Sequence, residues 1–143
     1  MVTSMQALRQ IVTGTDFSES ADHALAHAIE LALAASARVT LVHVCEPDDD
    51  GRFEKAEAAL SEVVARHQRP GVELTGLLRS GRPWTKLDNV AAEVGASLIV
   101  VGRQGAGQSA GLGSVADHLV RAANRPVLTV ACNCDSTPLR NTP

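Results

Sequence analysis

Apolar residues recur along this chain with two periods, and the alternation between the two lays out a fold. Short apolar runs occur at Ile11 to Thr13, Val39 to Val44, Val72 to Leu78, Leu98 to Val101 and Val127 to Val130. Runs of this length read as strands, and near-continuous apolar strands belong to sheets covered on both faces. Helical spacing fills the stretches between them. Ala21, Leu25, Ala28, Ala32 and Ala35 form one stripe, small enough for that helix to sit close to a sheet. Phe53, Ala56, Leu60, Val63, Val64 and His67 form a second; Trp84, Leu87, Ala91 and Val94 a third; Val115, Leu119 and Ala122 a fourth.

Turn and cap residues fall where this layout needs them. Ser18 is an N-cap candidate, with Glu19 in the favourable first turn. Pro70-Gly71 ends the second helix. Pro83 suits the first turn of the third, and Gly95 its C-terminus. Ser114 reads as the N-cap of the fourth, with Asp117 completing a capping-box-like S-x-x-D. Asn124-Arg125-Pro126 stops that helix. Strand and helix thus alternate four times before a last strand. This predicts a single three-layer α/β/α domain around a parallel sheet, in which ligands bind beyond the carboxyl ends of the strands.

Composition narrows the function more than the fold. The 143 residues suit one domain. A net charge of −3 and aromatics at 2%, with no Tyr, argue against a nucleic-acid surface, which needs clustered cations or stacking platforms. Cys45, Cys132 and Cys134 make no disulfide framework and suit a reducing cytoplasm. The N-terminal residues lack the pattern of a signal peptide, and no apolar run approaches the ~20 residues of a membrane span. The expectation is a cytoplasmic domain over residues 1–131, followed by a polar tail at 132–143, with no membrane or nucleic-acid partner.

The chemistry concentrates between Ser97 and Val115. A strand ends at Gly102, a loop holds Gly102, Gly105, Gly107, Gly111 and Gly113, and a helix begins near Ser114. Glycines let backbone N–H groups converge, and the first N–H groups of a helix lack intrahelical partners, so such a loop suits a phosphate. The plainer reading is a set of turns. Arg103 is the cation inside the loop, and it faces either a phosphate or solvent. Asp16 follows a strand end, where it either meets a ligand or caps the first helix. Gly105 to Ala110 fits G-x-G-x-x-A, but no helix opens there and no acid follows about 20 residues on, so the dinucleotide fingerprint is rejected. No G-x-x-x-x-G-K-S/T is present.

The remaining polar residues have ordinary readings. His23 and His27 share metal-ligand spacing without a third ligand, and a solvated helix face explains them. His43 reads as a buried, hydrogen-bonded strand residue and His118 as exposed. Asp48-Asp49-Asp50 reads as a charged turn. Cys132-x-Cys134 follows the last strand and would come together with its copy only if that strand pairs two chains.

Three segments carry a family resemblance. I-V-T-G-T-D-F-S-E-S, G-R-P followed by L-I-V-V-G, and G-S-V-A-D-H-L followed by R-P-V-L-T-V together resemble the universal stress protein family over about residues 9–131. The resemblance implies a five-stranded parallel sheet in the order 3-2-1-4-5, of the adenine nucleotide alpha hydrolase-like kind. It also implies a homodimer through the last strand and a role in stress survival. Nucleotide-binding members carry Gly-x2-Gly-x9-Gly-Ser/Thr. The match here is Gly102-Arg103-Gln104-Gly105, then Gly113-Ser114, with a spacer of seven residues. Two fewer residues shorten the loop by up to ~7 Å. By resemblance, Asp16 holds the ribose side, Gly14 lies near the adenine and the Val44 backbone contacts the base. Gly102, Gly105, Gly113, Ser114 and Val115 meet the phosphates.

Two readings follow. The first is a regulatory module binding ATP, or AMP or ADP, with Asp16 as a candidate Mg2+ contact and at most slow hydrolysis. The second is a dimeric interaction module in which the short spacer has closed the nucleotide site. A nucleotide-transforming enzyme is weaker than either, because no nucleophile–base pair stands out.

Overall fold

A computed structural model describes residues 8–45, 51–103 and 112–131. In order along the chain these form β1 (Gln10–Gly14), α1 (Glu19–Ala35), β2 (Arg38–Cys45), α2 (Arg52–His67) and β3 (Glu73–Ser80). Then come α3 (Pro83–Val94), β4 (Leu98–Gly102), α4 (Ser114–Ala122) and β5 (Val127–Val130). Asp48–Asp50, Gly105, Gly107, Gly111, Cys132 and Cys134 lie outside the described residues.

The five strands form one parallel sheet in the order β3-β2-β1-β4-β5. The chain winds outward from β1 through β2 to β3, then returns to β4 and winds the other way. The reversal falls between β1 and β4, where Ile11 is opposite Leu98 and Thr13 opposite Val100. Alternate residues of each strand point to opposite faces. Ile11, Leu41 and Val100 join Leu25, Ala28 and Leu60 on the face covered by α1 and α2. Val12, Val42 and Ile99 join Leu87, Val90 and Leu119 on the face covered by α3 and α4. Each fully buried Leu or Ile contributes roughly 1.5–3 kcal/mol. This double burial makes the five runs nearly continuous in apolar residues.

Local signals act as the sequence predicts at several ends. Ser18 caps α1, its side chain accepting the Ala21 N–H at 3.2 Å. Pro83 opens α3, and Gly95 closes it in the left-handed conformation, φ 67°. Three details differ from expectation.

Ser114 is not the N-cap of α4. Gly113 is, with no side-chain cap, because its N–H is held by the Arg103 carbonyl at 2.7 Å and its extended backbone starts the helix one residue later. Asp117 accordingly does not complete a capping box; its carboxylate pairs with Arg121 at 3.0 Å. Ala122 is exposed, and α4 buries Ala116 and Leu119 instead, with Val115 and Ala123 half-buried against the same core. Phe53 is 47% exposed. It lies about 10 Å along α2 from Leu60, which packs over Gly76 of the edge strand β3.

Candidate functional site

The carboxyl ends of β1 and β4 diverge at the reversal, and the turns that leave them build a cleft. The turn after β1 is fixed by its own polar side chains. The Thr15 N–H extends the sheet by donating to the Val42 carbonyl at 2.9 Å. Phe17 N–H donates to Thr15 Oγ1 at 2.9 Å, and Ser18 N–H to Asp16 Oδ1 at 3.0 Å. Short hydroxyl and carboxylate side chains offer the backbone such bonds in place of a ladder. The turn holds Phe17 at φ 65°, a conformation that costs a bulky residue free energy and persists only where its surroundings impose it. Asp16 is left exposed at the mouth of the cleft.

β2 braces this turn from below. His43 Nδ1 lies 2.8 Å from the Thr15 carbonyl oxygen, which has no proton to give, so Nδ1–H is the donor. The imidazole packs on Phe17 with centroids 4.3 Å apart.

The opposite wall is α4. Asp117 N–H donates to the Gly113 carbonyl at 2.9 Å and is the first intrahelical bond. The preceding N–H groups of Ser114, Val115 and Ala116 have no acceptor within the helix, and no side chain among the described residues caps them. The positive end of the helix dipole lies there as well.

Between these walls is a cleft of about 310 Å³. Its floor is apolar, from Val42, Val44, Leu87 and Val101, and α3 contributes Pro83 at the side. Two glycines admit close approaches. A Cβ on Gly14 would stand 2.8 Å from Leu87 Cδ1, and one on Gly102 would stand 2.5 Å from Ser20 Oγ.

Of the residues expected at the site, Gly14, Asp16, Val44, Gly102, Gly113, Ser114 and Val115 line this one cleft. Arg103 does not line it. Its side chain is exposed and its N–H is tied to the Val130 carbonyl at 2.8 Å. Gly105 lies outside the described residues. Thr15, His43 and Leu87 also line the cleft. Strand-end position was the available signal for Thr15; His43 gave only its place inside a strand, and Leu87 only its apolar stripe. Among the described lining residues the one carboxylate is Asp16, and none is Lys or Arg.

The other candidates sit apart from the cleft or beside it. His118 is exposed, stacks on Trp84 at 5.2 Å between centroids, and holds the Ser114 carbonyl through Nδ1 at 2.8 Å. His27 Nδ1 donates to the His23 carbonyl at 3.1 Å. Among the described residues no three His, Cys, Asp or Glu side chains gather as a metal site, and no helix is long and apolar enough to cross a membrane.

Residues 7–131 match the model of the universal stress protein family. A protein of Thermus aquaticus described as the universal stress protein in the QAH/OAS sulfhydrylase 3′ region is 34% identical over 136 residues, covering 85% of this chain and 98% of that one. A crystal structure of a universal stress protein in complex with cAMP is 31% identical, with a TM-score of 0.75 over 88% of this chain and 98% of the other. The universal stress protein of Archaeoglobus fulgidus in complex with dAMP is 28% identical, with a TM-score of 0.73 over 87% and 98%.

Proposed function

The chain belongs to the universal stress protein family, and on that premise we propose that it is a cytoplasmic stress-response regulator that binds an adenine nucleotide, ATP or its ADP or AMP relatives. The observation that carries this reading is the convergence of two preformed polar elements on one apolar-floored cleft: the Asp16 turn and the uncapped N-terminus of α4. The volume of about 310 Å³ lies within the ~300–1,000 Å³ range of ligand pockets. Two relatives named with their ligands hold cAMP and dAMP.

In this reading the adenine lies on the apolar floor, close to Gly14 and the Val44 backbone. Asp16 accepts hydrogen bonds from the ribose hydroxyls. The N–H groups of Ser114 and Val115 meet the phosphate, and Gly102 and Gly113 leave room for it. Gly105 and Arg103 belong to the same glycine-rich segment in sequence. When Mg2+ accompanies the nucleotide, Asp16 is the carboxylate of the cleft that would hold it. The chain's own residues bind and orient; among the described lining residues no nucleophile–base pair stands out, and the reading expects at most slow hydrolysis.

A second reading is a dimeric interaction module without nucleotide. It rests on the seven-residue spacer and on two exposed apolar residues, Val120 of α4 at 53% and Leu128 of the edge strand β5 at 38%. The homodimer through β5 belongs to both readings.

Calorimetric titration of nucleotide-stripped protein separates them. The first reading predicts saturable binding of AMP or ATP, with about 2.7 kcal/mol of added apparent stability at 100-fold over the dissociation constant. Absence of heat and of stabilisation at millimolar nucleotide leaves the second.

A further inference from the structure

We propose that Thr15 and His43 are positioning residues for base selection: each diverts one rung of the β1–β2 ladder, and together they leave the N–H and C=O of Val44 open to a 6-aminopurine. This inference rests on the adenine-nucleotide reading and names the residues that set base specificity in the same cleft.

The register of the sheet shows which bonds are diverted. Even-numbered residues at this end of β2 turn their backbone groups to β1, where the Thr15 N–H donates to the Val42 carbonyl at 2.9 Å. Cys45 turns the other way, its carbonyl accepting the Gly81 N–H just past β3 at 3.0 Å. The bonds of a parallel ladder are evenly spaced. The next rung would therefore join the Val44 N–H to the Thr15 carbonyl, and the one after it the Phe17 N–H to the Val44 carbonyl. Among the described residues neither rung forms. The Thr15 carbonyl instead accepts the Nδ1–H of His43 at 2.8 Å, and the Phe17 N–H donates to Thr15 Oγ1 at 2.9 Å.

Val44 is half-buried and lines the cleft, as do Thr15 and His43. Backbone groups left out of a ladder in such a place are uncommon in folded proteins. A donor beside an acceptor fits the 6-amino edge of adenine, where N1 accepts and the N6 amino group donates. A 6-oxopurine reverses both, because its N1 carries a proton and its O6 accepts. It would set donor against donor and acceptor against acceptor, leaving polar groups unpaired at a cost.

Two experiments test this. The first is hydrogen exchange on the 15N-labelled full chain, read amide by amide. Without ligand, the Val44 amide should exchange much faster than that of Val42, which lies within the ladder, and saturating AMP should slow it. Equal protection of Val44 and Val42 without ligand would mean that the rungs are closed and overturns the inference. The second is calorimetric titration of nucleotide-stripped protein with AMP and with IMP, its 6-oxo counterpart. IMP should bind about tenfold more weakly, or worse, since a site built to pair polar groups rejects an analogue that leaves them unpaired. Thr15→Val releases the Phe17 N–H to compete for the Val44 carbonyl, and His43→Phe releases the Thr15 carbonyl to compete for the Val44 N–H. Each should lower the ratio of the IMP to the AMP dissociation constant, whereas a merely structural loss weakens both nucleotides alike. Thr15→Ser keeps the acceptor and should keep the ratio. An unchanged ratio in both Thr15→Val and His43→Phe removes the two residues from this role. Equal binding of AMP and IMP by the wild type overturns the inference and leaves the nucleotide reading in place. No binding of AMP, IMP or ATP overturns that reading and this inference together.

Discussion

The Nδ1–H of His43 donates to the carbonyl of Thr15 across 2.8 Å, so the end of β2 holds the turn that presents Asp16. The bond joins residues 28 apart in sequence, and the imidazole also supports the left-handed Phe17. The Asp16 turn is therefore set by its own side chains from within and by β2 from below. His43→Phe keeps a ring against Phe17 and removes the donor. It should cost about 1–2 kcal/mol in urea denaturation, the cost of leaving a part-buried acceptor unpaired. It should also weaken nucleotide binding, because Asp16 is no longer held. His43→Asn, which restores a donor near the Nδ1 position, should recover more of the binding than of the stability. Equal binding by wild type and His43→Phe would remove His43 from this role.

The N-terminus of α4 offers a substitution with opposite effects on folding and on binding. Ser114 is the exposed first residue of the helix, and Gly113 before it provides no side-chain cap. Ser114→Asp adds a carboxylate where the helix dipole favours one, so thermal stability should rise by about 0.3–1 kcal/mol. The same carboxylate occupies the place proposed for phosphate, so AMP affinity should fall by at least tenfold. Loss of both stability and binding would mean only that the variant is misfolded; a gain in stability with unchanged affinity would place the phosphate elsewhere.

Gly102 and Ser20 should couple. A Cβ at Gly102 would meet Ser20 Oγ at 2.5 Å and the Ser20 carbonyl oxygen at 3.0 Å. Gly102→Ala is expected to cost roughly 1–3 kcal/mol, the range for forced overpacking. Ser20 Oγ is buried without a hydrogen-bond partner among the described residues, so Ser20→Ala alone should be neutral or stabilising. In the double variant the hydroxyl clash is gone and the carbonyl contact remains, so the rescue should be partial. A double-mutant cycle on denaturation midpoints reads this coupling, and strict additivity would contradict the packing described.

Much of the fold was legible because its signals are local or periodic. Ile11 and Val12 point to opposite faces, and both faces are covered, so each strand appears as an unbroken apolar run. Pro83 and Gly95 mark the ends of α3 by backbone chemistry alone. The start of α4 was legible only to within one residue. Its cap is decided by the bond from Gly113 N–H to the Arg103 carbonyl, which joins two ends of a loop and leaves no local trace. The buried face of α4, Ala116 and Leu119 rather than Ala122, is set by its packing on the core with Leu87, Val90 and Ile99. At the site, Gly14 and Val44 were expected only through the family resemblance, whereas Asp16 and Gly102 were readable as strand-end residues on the edge where α/β sheets gather ligands. His43 was not, because a histidine bonded beneath a turn and one buried in a core leave the same pattern in a strand. Leu87 enters the cleft only through the packing of α3 on Gly14, a contact between distant segments.

The most direct measurement is a titration of 15N-labelled protein with AMP, followed amide by amide. The account predicts saturable shifts at Gly14, Ser114, Val115 and Ala116, with Leu60 and Gly76 on the α2–β3 side unmoved. Saturable shifts that leave Ser114, Val115 and Ala116 in place would contradict the claim that the N-terminus of α4 receives the phosphate.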